Sequence, residues 1–197
     1  MYGKDSSGVG RPVLVDSSGA LIKSGGGEYK KNTLNGAQYF ANALAMEVAL
    51  YTATSAIGLI IYNPTDSGVN MVPNIWSVIV DDTSASMTGI VLAVGTQLTL
   101  PATTTAAPLS GKSLLTASTG LTAGKCAAYS IATILAPVLV WPLFHNTAAI
   151  ATTGAEVISG DLKGAFSFAP GTTCVMGALG AAGVNVNLAI GWEEIAV

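Results

Sequence analysis

The 197-residue chain has 10% charged residues, against about 25% in an ordinary soluble domain, and half of its residues are hydrophobic. Its length suits a single domain that buries a core without disulfides or metals. Its net charge of −3, with only eight Lys and Arg, argues against nucleic-acid binding. One histidine and two cysteines without a CxxC pair are too few ligands for a zinc site.

Charge is concentrated at the N-terminus. Eight of the nineteen charged residues lie in the first 31 positions, which leaves eleven for the remaining 166. A membrane location, a large obligate subunit interface, or a surface covered by Ser, Thr and Asn would each explain a body with so little charge. The second and third explanations are compatible with each other.

Residues 1–36 are rich in Gly, Ser, Lys and Asn and predict an N-terminal arm. Two short apolar stretches, 12–15 and 20–22, flank the turn sequence at 16–19, which indicates a small hairpin. The chain does not open with a basic segment followed by an apolar one, so we predict no signal peptide and a protein that is made and kept in the cytoplasm. The remaining residues, 37–197, are predicted to form one β-sandwich assembly domain.

Residues 37–62 are apolar apart from one glutamate, with a Thr-Ala-Thr-Ser segment at 52–55. Two strands joined at that segment are the first interpretation. A helix over 41–50 is the alternative, because a short apolar run does not separate strand from helix.

A Pro/Gly turn at 63–68 precedes a further predicted strand over 69–80. Pro73 has no backbone N–H to donate, so we expect an edge position or a bulge there. Alternation places several side chains together on one face of this strand: Val69, Met71, Ile75, Ser77 and Ile79.

The Asp-Asp-Thr-Ser turn at 81–84 closes that strand, and 89–95 predict the next one. Turn signals about ten residues apart are typical of sandwiches and barrels. Residues 99–124 are low in complexity and predict a long surface loop.

Residues 126–144 carry no charge over nineteen positions, which is the length of a membrane-spanning helix. Two prolines and many β-branched residues oppose a helix, and no basic cluster flanks the segment to set an orientation. Two strands broken near Pro137 fit the sequence at least as well, since buried strands also appear as continuous apolar runs.

The C-terminal part repeats the strand-and-turn pattern, with strands predicted over 165–169, 173–179 and 184–197. The last of these has the clearest alternation in the chain, with apolar side chains at every second position: Val184, Val186, Leu188 and Ile190. An all-β fold follows.

The sequence lacks the residue patterns on which catalysis usually depends. The single histidine, His145, ends an apolar strand, and no nucleophile elbow accompanies it. The adjacent carboxylates Asp81-Asp82 and Glu193-Glu194 point to opposite faces if they lie on strands, so they cannot act on one bond. Cys126 and Cys174 lie in apolar runs and are predicted to be buried, reduced thiols. We therefore assign no catalytic, metal or cofactor-binding residue and expect no enzyme.

Four side chains in or beside apolar strands are candidates for buried or interfacial positions: Tyr62, Trp76, His145 and Trp192. Large aromatic side chains contribute most of the packing energy of cores and interfaces. Trp141 has the same expected role.

Two segments resemble structural proteins of the bacteriophage virion. Residues 59–72 form a strand that ends in Asn63-Pro64, followed by a short Gly-containing turn and an Asn-apolar strand. Residues 170–195 begin with Pro-Gly, continue through a strand and an Ala/Gly linker, and close on Trp192-Glu193-Glu194-Ile195.

The resemblance implies a jelly-roll-like antiparallel β-sandwich with an extended N-terminal arm. It also implies a homotrimer that serves as a capsid decoration, cement, head-fibre or tail-associated subunit. The expected partners are copies of the chain itself and the major capsid or other virion proteins, with no nucleic acid and no membrane. The expected location is the virion, and the family supplies no catalytic residues.

Two other functions stay open at this point. A small integral membrane protein would use the apolar segments 37–62, 126–144 and 172–192. A carbohydrate-binding β-module for host attachment would need an exposed aromatic platform.

Overall fold

The computed structural model of the chain describes residues 2–4, 10–12, 37–48, 55–80, 88–96, 108–109, 112–113, 124–145, 156–179 and 184–197. The chain divides into two compact units, 1–31 and 32–197. In the smaller unit, β1 (Tyr2–Lys4) pairs antiparallel with β2 (Gly10–Pro12). The predicted hairpin turn at 16–19 lies outside the described residues.

Among the described residues of the larger unit, all regular structure is β-strand. Its strands are β3 (Gln38–Val48), β4 (Ser55–Tyr62), β5 (Val69–Val80), β6 (Gly89–Gly95), β7 (Pro108–Leu109), β8 (Lys112–Ser113), β9 (Ala127–Leu135), β10 (Leu139–His145), β11 (Glu156–Asp161), β12 (Thr173–Leu179) and β13 (Val184–Ala196).

The strands form two antiparallel sheets packed as a β-sandwich, which confirms the predicted fold class. One sheet has the order β10-β6-β12-β4-β9-β7, and the other has the order β11-β5-β13-β3-β8. The eight main strands pair in a nested way: β3 with β13, β4 with β12, β5 with β11 and β6 with β10. A long antiparallel hairpin rolled into two sheets gives this order, which is the jelly roll.

The core lies between the two sheets. Alternate residues of each strand face it, because strand side chains have a period of two. The six-stranded sheet contributes Leu59, Leu92 and Met176, while the five-stranded sheet contributes Leu188 and Trp192, all at most 1% exposed. Each side chain of this size stabilises the fold by about 1.5–3 kcal/mol on burial.

A second apolar layer lies on the outer face of the six-stranded sheet. Ile60, Ala93 and Val175 from three neighbouring strands are fully buried there against Ile134 of β9. Residues 136–138 then join β9 directly to β10 at the opposite side of the same sheet. Because so short a connection cannot go around the sheet, the end of β9 crosses its outer face and covers this layer.

Asn63, in the segment that resembles virion proteins, ties two turns together. Its Nδ2 donates to the carbonyls of Val69 (2.9 Å) and Phe168 (3.0 Å), and its backbone N–H donates to the carbonyl of Thr172 (2.9 Å). The side chain is fully buried. The Asn-Pro sequence therefore fixes the β4–β5 turn against the loop that precedes β12.

Strand β5 contains the bulge expected at Pro73. Its register with β13 shifts between Gly191 and Trp192, and Asn74 is the residue left unpaired. The bulge reverses the alternation, so Met71 faces the core whereas Ile75, Ser77 and Ile79 face outward. The prediction that these four side chains share one face was wrong for this reason.

The bulge is stabilised by a buried pair of amides. Gln38 Nε2 donates to Asn74 Oδ1 (3.1 Å), and Asn74 Nδ2 donates to Gln38 Oε1 (2.9 Å), with both residues 1% exposed. Asn74 Oδ1 also accepts the Ile75 N–H (2.8 Å). Asn74 Nδ2 therefore depends on Gln38 for its acceptor, while Asn74 Oδ1 has a second donor in the Ile75 N–H.

Substituting Gln38→Met is expected to destabilise the protein by about 1–3 kcal/mol, because it leaves the buried Asn74 amide without its partner. Urea unfolding followed by circular dichroism measures the change. Asn42→Met, at an exposed position on the same strand, is the control and should change stability by less than about 0.5 kcal/mol. Equal effects of the two variants would contradict the role of the amide pair.

Most predicted strands are confirmed, including the two strands over 37–62 and the break near Pro137. The predicted strand at 165–169 was wrong, since Phe168 makes only an isolated bridge to Met71. Strand β11 was not predicted. The predicted long loop at 99–124 contains the two-residue strands β7 and β8.

Candidate assembly surface

An exposed apolar segment lies where β9 passes into β10. Four of its side chains are exposed over a large fraction of their surface: Leu135 by 59%, Val138 by 74%, Leu139 by 40% and Trp141 by 49%. Every residue from 135 to 142 has an apolar side chain. We call these eight residues the 135–142 segment.

The backbone of the 135–142 segment is held in place by the sheet. Ala136 has a φ of 45°, in the left-handed region that non-glycine residues rarely adopt, and this residue makes the turn between the two strands. The Val138 N–H then donates to the carbonyl of Val94 (2.7 Å). The exposed side chains are therefore presented by an anchored turn.

Trp141 is supported by a row of aromatic rings. Its indole contacts Phe166 edge to face, with centroids 5.5 Å apart, and Phe166 stacks on Phe168 at 5.9 Å. Phe166 and Phe168 belong to the loop after β11, so two parts of the chain fix the indole. A rigid aromatic side chain with one half exposed loses little entropy when a partner covers it.

Strand β10 lies at an edge of the described sheet, and its recorded partner is β6. Pro142 interrupts the hydrogen-bonding edge of β10, and the register with β6 shifts between Pro142 and Phe144. Both features oppose the addition of another strand along this edge. Recognition at the 135–142 segment would therefore use side chains rather than the backbone.

The exposed apolar surface of this segment has the size of a typical interaction patch. Because a fully exposed aromatic side chain offers about 150–250 Å² and an aliphatic one somewhat less, the four exposed fractions together leave roughly 400 Å² uncovered. The largest apolar patch on a typical monomer is about 300–600 Å² and is often functional. The segment also lies within nineteen residues that carry no charge.

The four residues predicted to be buried or interfacial occupy different places. Trp192 is fully buried and stacks on Tyr39, and Trp76 is 7% exposed and stacks on Phe144. Both pack within one chain, so their burial needs no partner. Tyr62 is half-buried on β4, and His145 is exposed at the end of β10.

Sequence reasoning missed Leu135, Val138 and Leu139 as surface residues. A continuous apolar run is typical of a strand covered on both faces, and the 126–144 run was interpreted in that way. The only signal of exposure in the sequence is the pair of prolines at 137 and 142, which are uncommon in the interior of a sheet.

A carboxylate links the two sheets away from this surface. Glu194 Oε1 accepts hydrogen bonds from the Cys126 N–H (2.9 Å) and the Trp192 indole (3.3 Å), and Oε2 accepts one from the Lys125 N–H (2.8 Å). Burial and the nearby Glu194 carboxylate raise the pKa of Cys126 and of Tyr39. These contacts fix the start of β9 to β13 and leave Cys126 protonated and unreactive.

Cys174 is also a buried free thiol, and burial raises its pKa from 9.0 to about 12. Between those two values the folded chain holds a proton that the unfolded chain releases, so stability should fall as the pH rises from 9 to 12. The loss approaches about 1.4 kcal/mol per pH unit for this thiol.

The variant Cys174→Ala should unfold with a shallower pH dependence above pH 9, as measured by urea unfolding across that range. Cys126 remains in both proteins and serves as the internal reference. An unchanged slope would show that Cys174 ionises as easily in the folded chain as in the unfolded one.

Comparison with known proteins adds no relative: no family model, curated protein or solved structure matches the chain. In the part of the chain that the structure describes, no helix is long and apolar enough to cross a membrane. The same residues contain no group of three or more His, Cys, Asp or Glu side chains that could hold a metal ion.

Proposed function

We propose that the protein is a non-enzymatic structural subunit of a bacteriophage particle and that it acts by associating with copies of itself and with neighbouring virion proteins. The observation that carries this function is the exposed, uncharged 135–142 segment on the edge of a jelly roll. Burial of this apolar surface against a protein partner would stabilise the complex by about 25 cal/mol per Å², before the costs of association are subtracted.

Two further features support an assembling subunit. Residues 32–197 include only eleven charged residues, so few charges would have to lose their contact with water when this part of the chain packs against another subunit. The segments around Asn63 and Trp192 resemble virion proteins, and the structure gives both residues fixed structural roles. Three-fold association is what that resemblance implies.

The exposed indole of Trp141 also raises the question of carbohydrate binding at the same surface. Sugar recognition needs hydrogen-bonding side chains beside an aromatic platform. No residue from 135 to 142 has a polar side chain. The segment therefore favours an apolar protein surface as its partner.

The virion location is tested by quantitative mass spectrometry of purified particles of the phage whose genome encodes the chain. Many copies per particle, in a fixed ratio to the major capsid protein, are the expected result. The lysis enzyme of the same phage is the control for carry-over of non-structural proteins. A chain that is abundant in infected cells but present in particles only at the level of the lysis enzyme would contradict the proposed function.

A further inference from the structure

The outer face of the five-stranded sheet presents its side chains in rows that run across the strands. In one row, Asp161, Ile75, Gly191 and Phe40 lie side by side on β11, β5, β13 and β3. The next row is Ser159, Ser77, Ala189 and Asn42. Four strands at a spacing of about 4.8 Å make each row roughly 14 Å long.

The second row is made of small side chains, and the sheet is hollow along it. A groove of about 440 Å³ runs here, lined among others by Ser77, Ser159 and Ala189. The larger Ile75 and Phe40 of the first row form one wall. The groove arises because Ser159, Ser77 and Ala189, whose side chains have one or two heavy atoms, lie beside a row that carries larger ones.

One glycine brings an aromatic ring to this groove, and another makes room for a ring beneath it. A Cβ on Gly191 would lie 2.8 Å from Phe40 Cε1, so the tip of the Phe40 ring rests over the backbone of β13. A Cβ on Gly160 would lie 2.7 Å from Trp76 Cζ2 and 2.8 Å from its Nε1, so the indole packs against β11 on the core side of the sheet. Any other residue at either position would displace the ring.

The polar groups of the groove determine what it can hold. Ser77 and Ser159 offer hydroxyls, and Asp161 contributes the only charge among the lining residues that the structure describes. One Asp161 oxygen already accepts the Lys163 N–H (2.7 Å), which fixes the carboxylate. The backbones of β5 and β13 are committed to ladder hydrogen bonds on both sides, so over these two strands a ligand must be recognised by side chains.

We infer that this groove is a binding site for a neutral saccharide chain of two or three pyranose rings. A pyranose has apolar C–H faces that suit Phe40 and Ile75, and hydroxyls that pair with Ser77, Ser159 and Asp161. The ring is about as wide as the strand spacing of roughly 4.8 Å, so successive rings meet successive strands. The single carboxylate disfavours anionic sugars. This site does not depend on the proposed assembly function.

Saturation-transfer NMR of the full-length protein with chitotriose and maltotriose tests the site, with trigalacturonate as the anionic probe. At least one neutral trisaccharide should bind, with a dissociation constant on the order of 1 mM. Ala189→Leu fills the groove, and Ser77→Val removes a hydroxyl while keeping a residue suited to strands. Each should weaken binding at least tenfold, whereas Val157→Ala, on the same face outside the groove, should leave it unchanged.

Thermal unfolding establishes that each protein is folded before its binding is compared. Absence of neutral-sugar binding by the folded wild type, tighter binding of trigalacturonate, or unchanged binding by both groove variants would each overturn the inference. A drop in particle mass caused by Ala189→Leu, without any sugar binding by the wild type, would show instead that a second copy of the chain occupies the groove.

Discussion

Substituting Trp192→Ala is expected to cost about 3–5 kcal/mol of unfolding free energy, because it empties the largest fully buried site of the core. The indole stacks on Tyr39 with centroids 5.9 Å apart and donates to Glu194. Its removal therefore also loosens the carboxylate that ties β9 to β13. The unfolding free energy of a typical domain is about 5–15 kcal/mol, so this loss is at least a fifth of it.

The matched control is the same substitution at the half-exposed tryptophan, Trp141→Ala, which should cost only about 1–1.5 kcal/mol because about half of its surface is already in contact with water. Urea unfolding of both variants is measured at the lowest workable protein concentration, because association adds a concentration-dependent term to stability. Equal losses at the two positions would contradict the assignment of Trp192 to the core and Trp141 to the surface.

For association between subunits, the larger effect is expected at Trp141 rather than at Trp192. Trp141→Glu places a charge within the apolar 135–142 segment and should weaken each subunit contact by about 2–4 kcal/mol, which is roughly 30- to 1,000-fold in dissociation constant. Sedimentation velocity over a range of concentrations measures the shift toward the monomer. The effect requires that the indole lie near the centre of a buried interface.

Val157→Glu is the control for the added charge, since Val157 is 65% exposed on β11 and lies outside the 135–142 segment. It should associate like the wild-type protein. Loss of association in both variants would indicate a general effect of negative charge, and loss in neither would place the interface elsewhere.

Much of this fold could be predicted from local patterns. In β13 the buried Val186, Leu188 and Ile190 alternate with half-exposed residues, and a strand with one face on the core produces that pattern directly. Turn residues about ten positions apart predicted a sandwich or barrel. The nested pairing of first strand with last required the structure, because it depends on contacts far apart in sequence.

The failures have identifiable causes. β11 (Glu156–Asp161) was missed because two of its three outward residues, Ser159 and Asp161, are polar and one inward position is Gly160, where the Trp76 ring fills the space of a side chain. The faces of β5 were misassigned because a bulge at Asn74 reverses the alternation, and a proline does not reveal how a bulge resolves.

The candidate surface was the least predictable part. An apolar run indicates burial but does not tell whether the chain itself or a partner provides the cover. Ile134 and Leu135 are neighbours in one strand, yet Ile134 is fully buried on the sheet and Leu135 is 59% exposed. That difference depends on how the end of β9 crosses the sheet, which no local pattern encodes.

Light scattering coupled to size-exclusion chromatography of the wild-type protein tests the central claim most directly, because it measures the mass of the particle in solution. We expect a stable species whose mass is a fixed multiple of the chain mass, near three times 19.8 kDa for the implied trimer. A single species at 19.8 kDa over the whole concentration range used for sedimentation velocity would contradict the claim that a second copy covers the 135–142 segment.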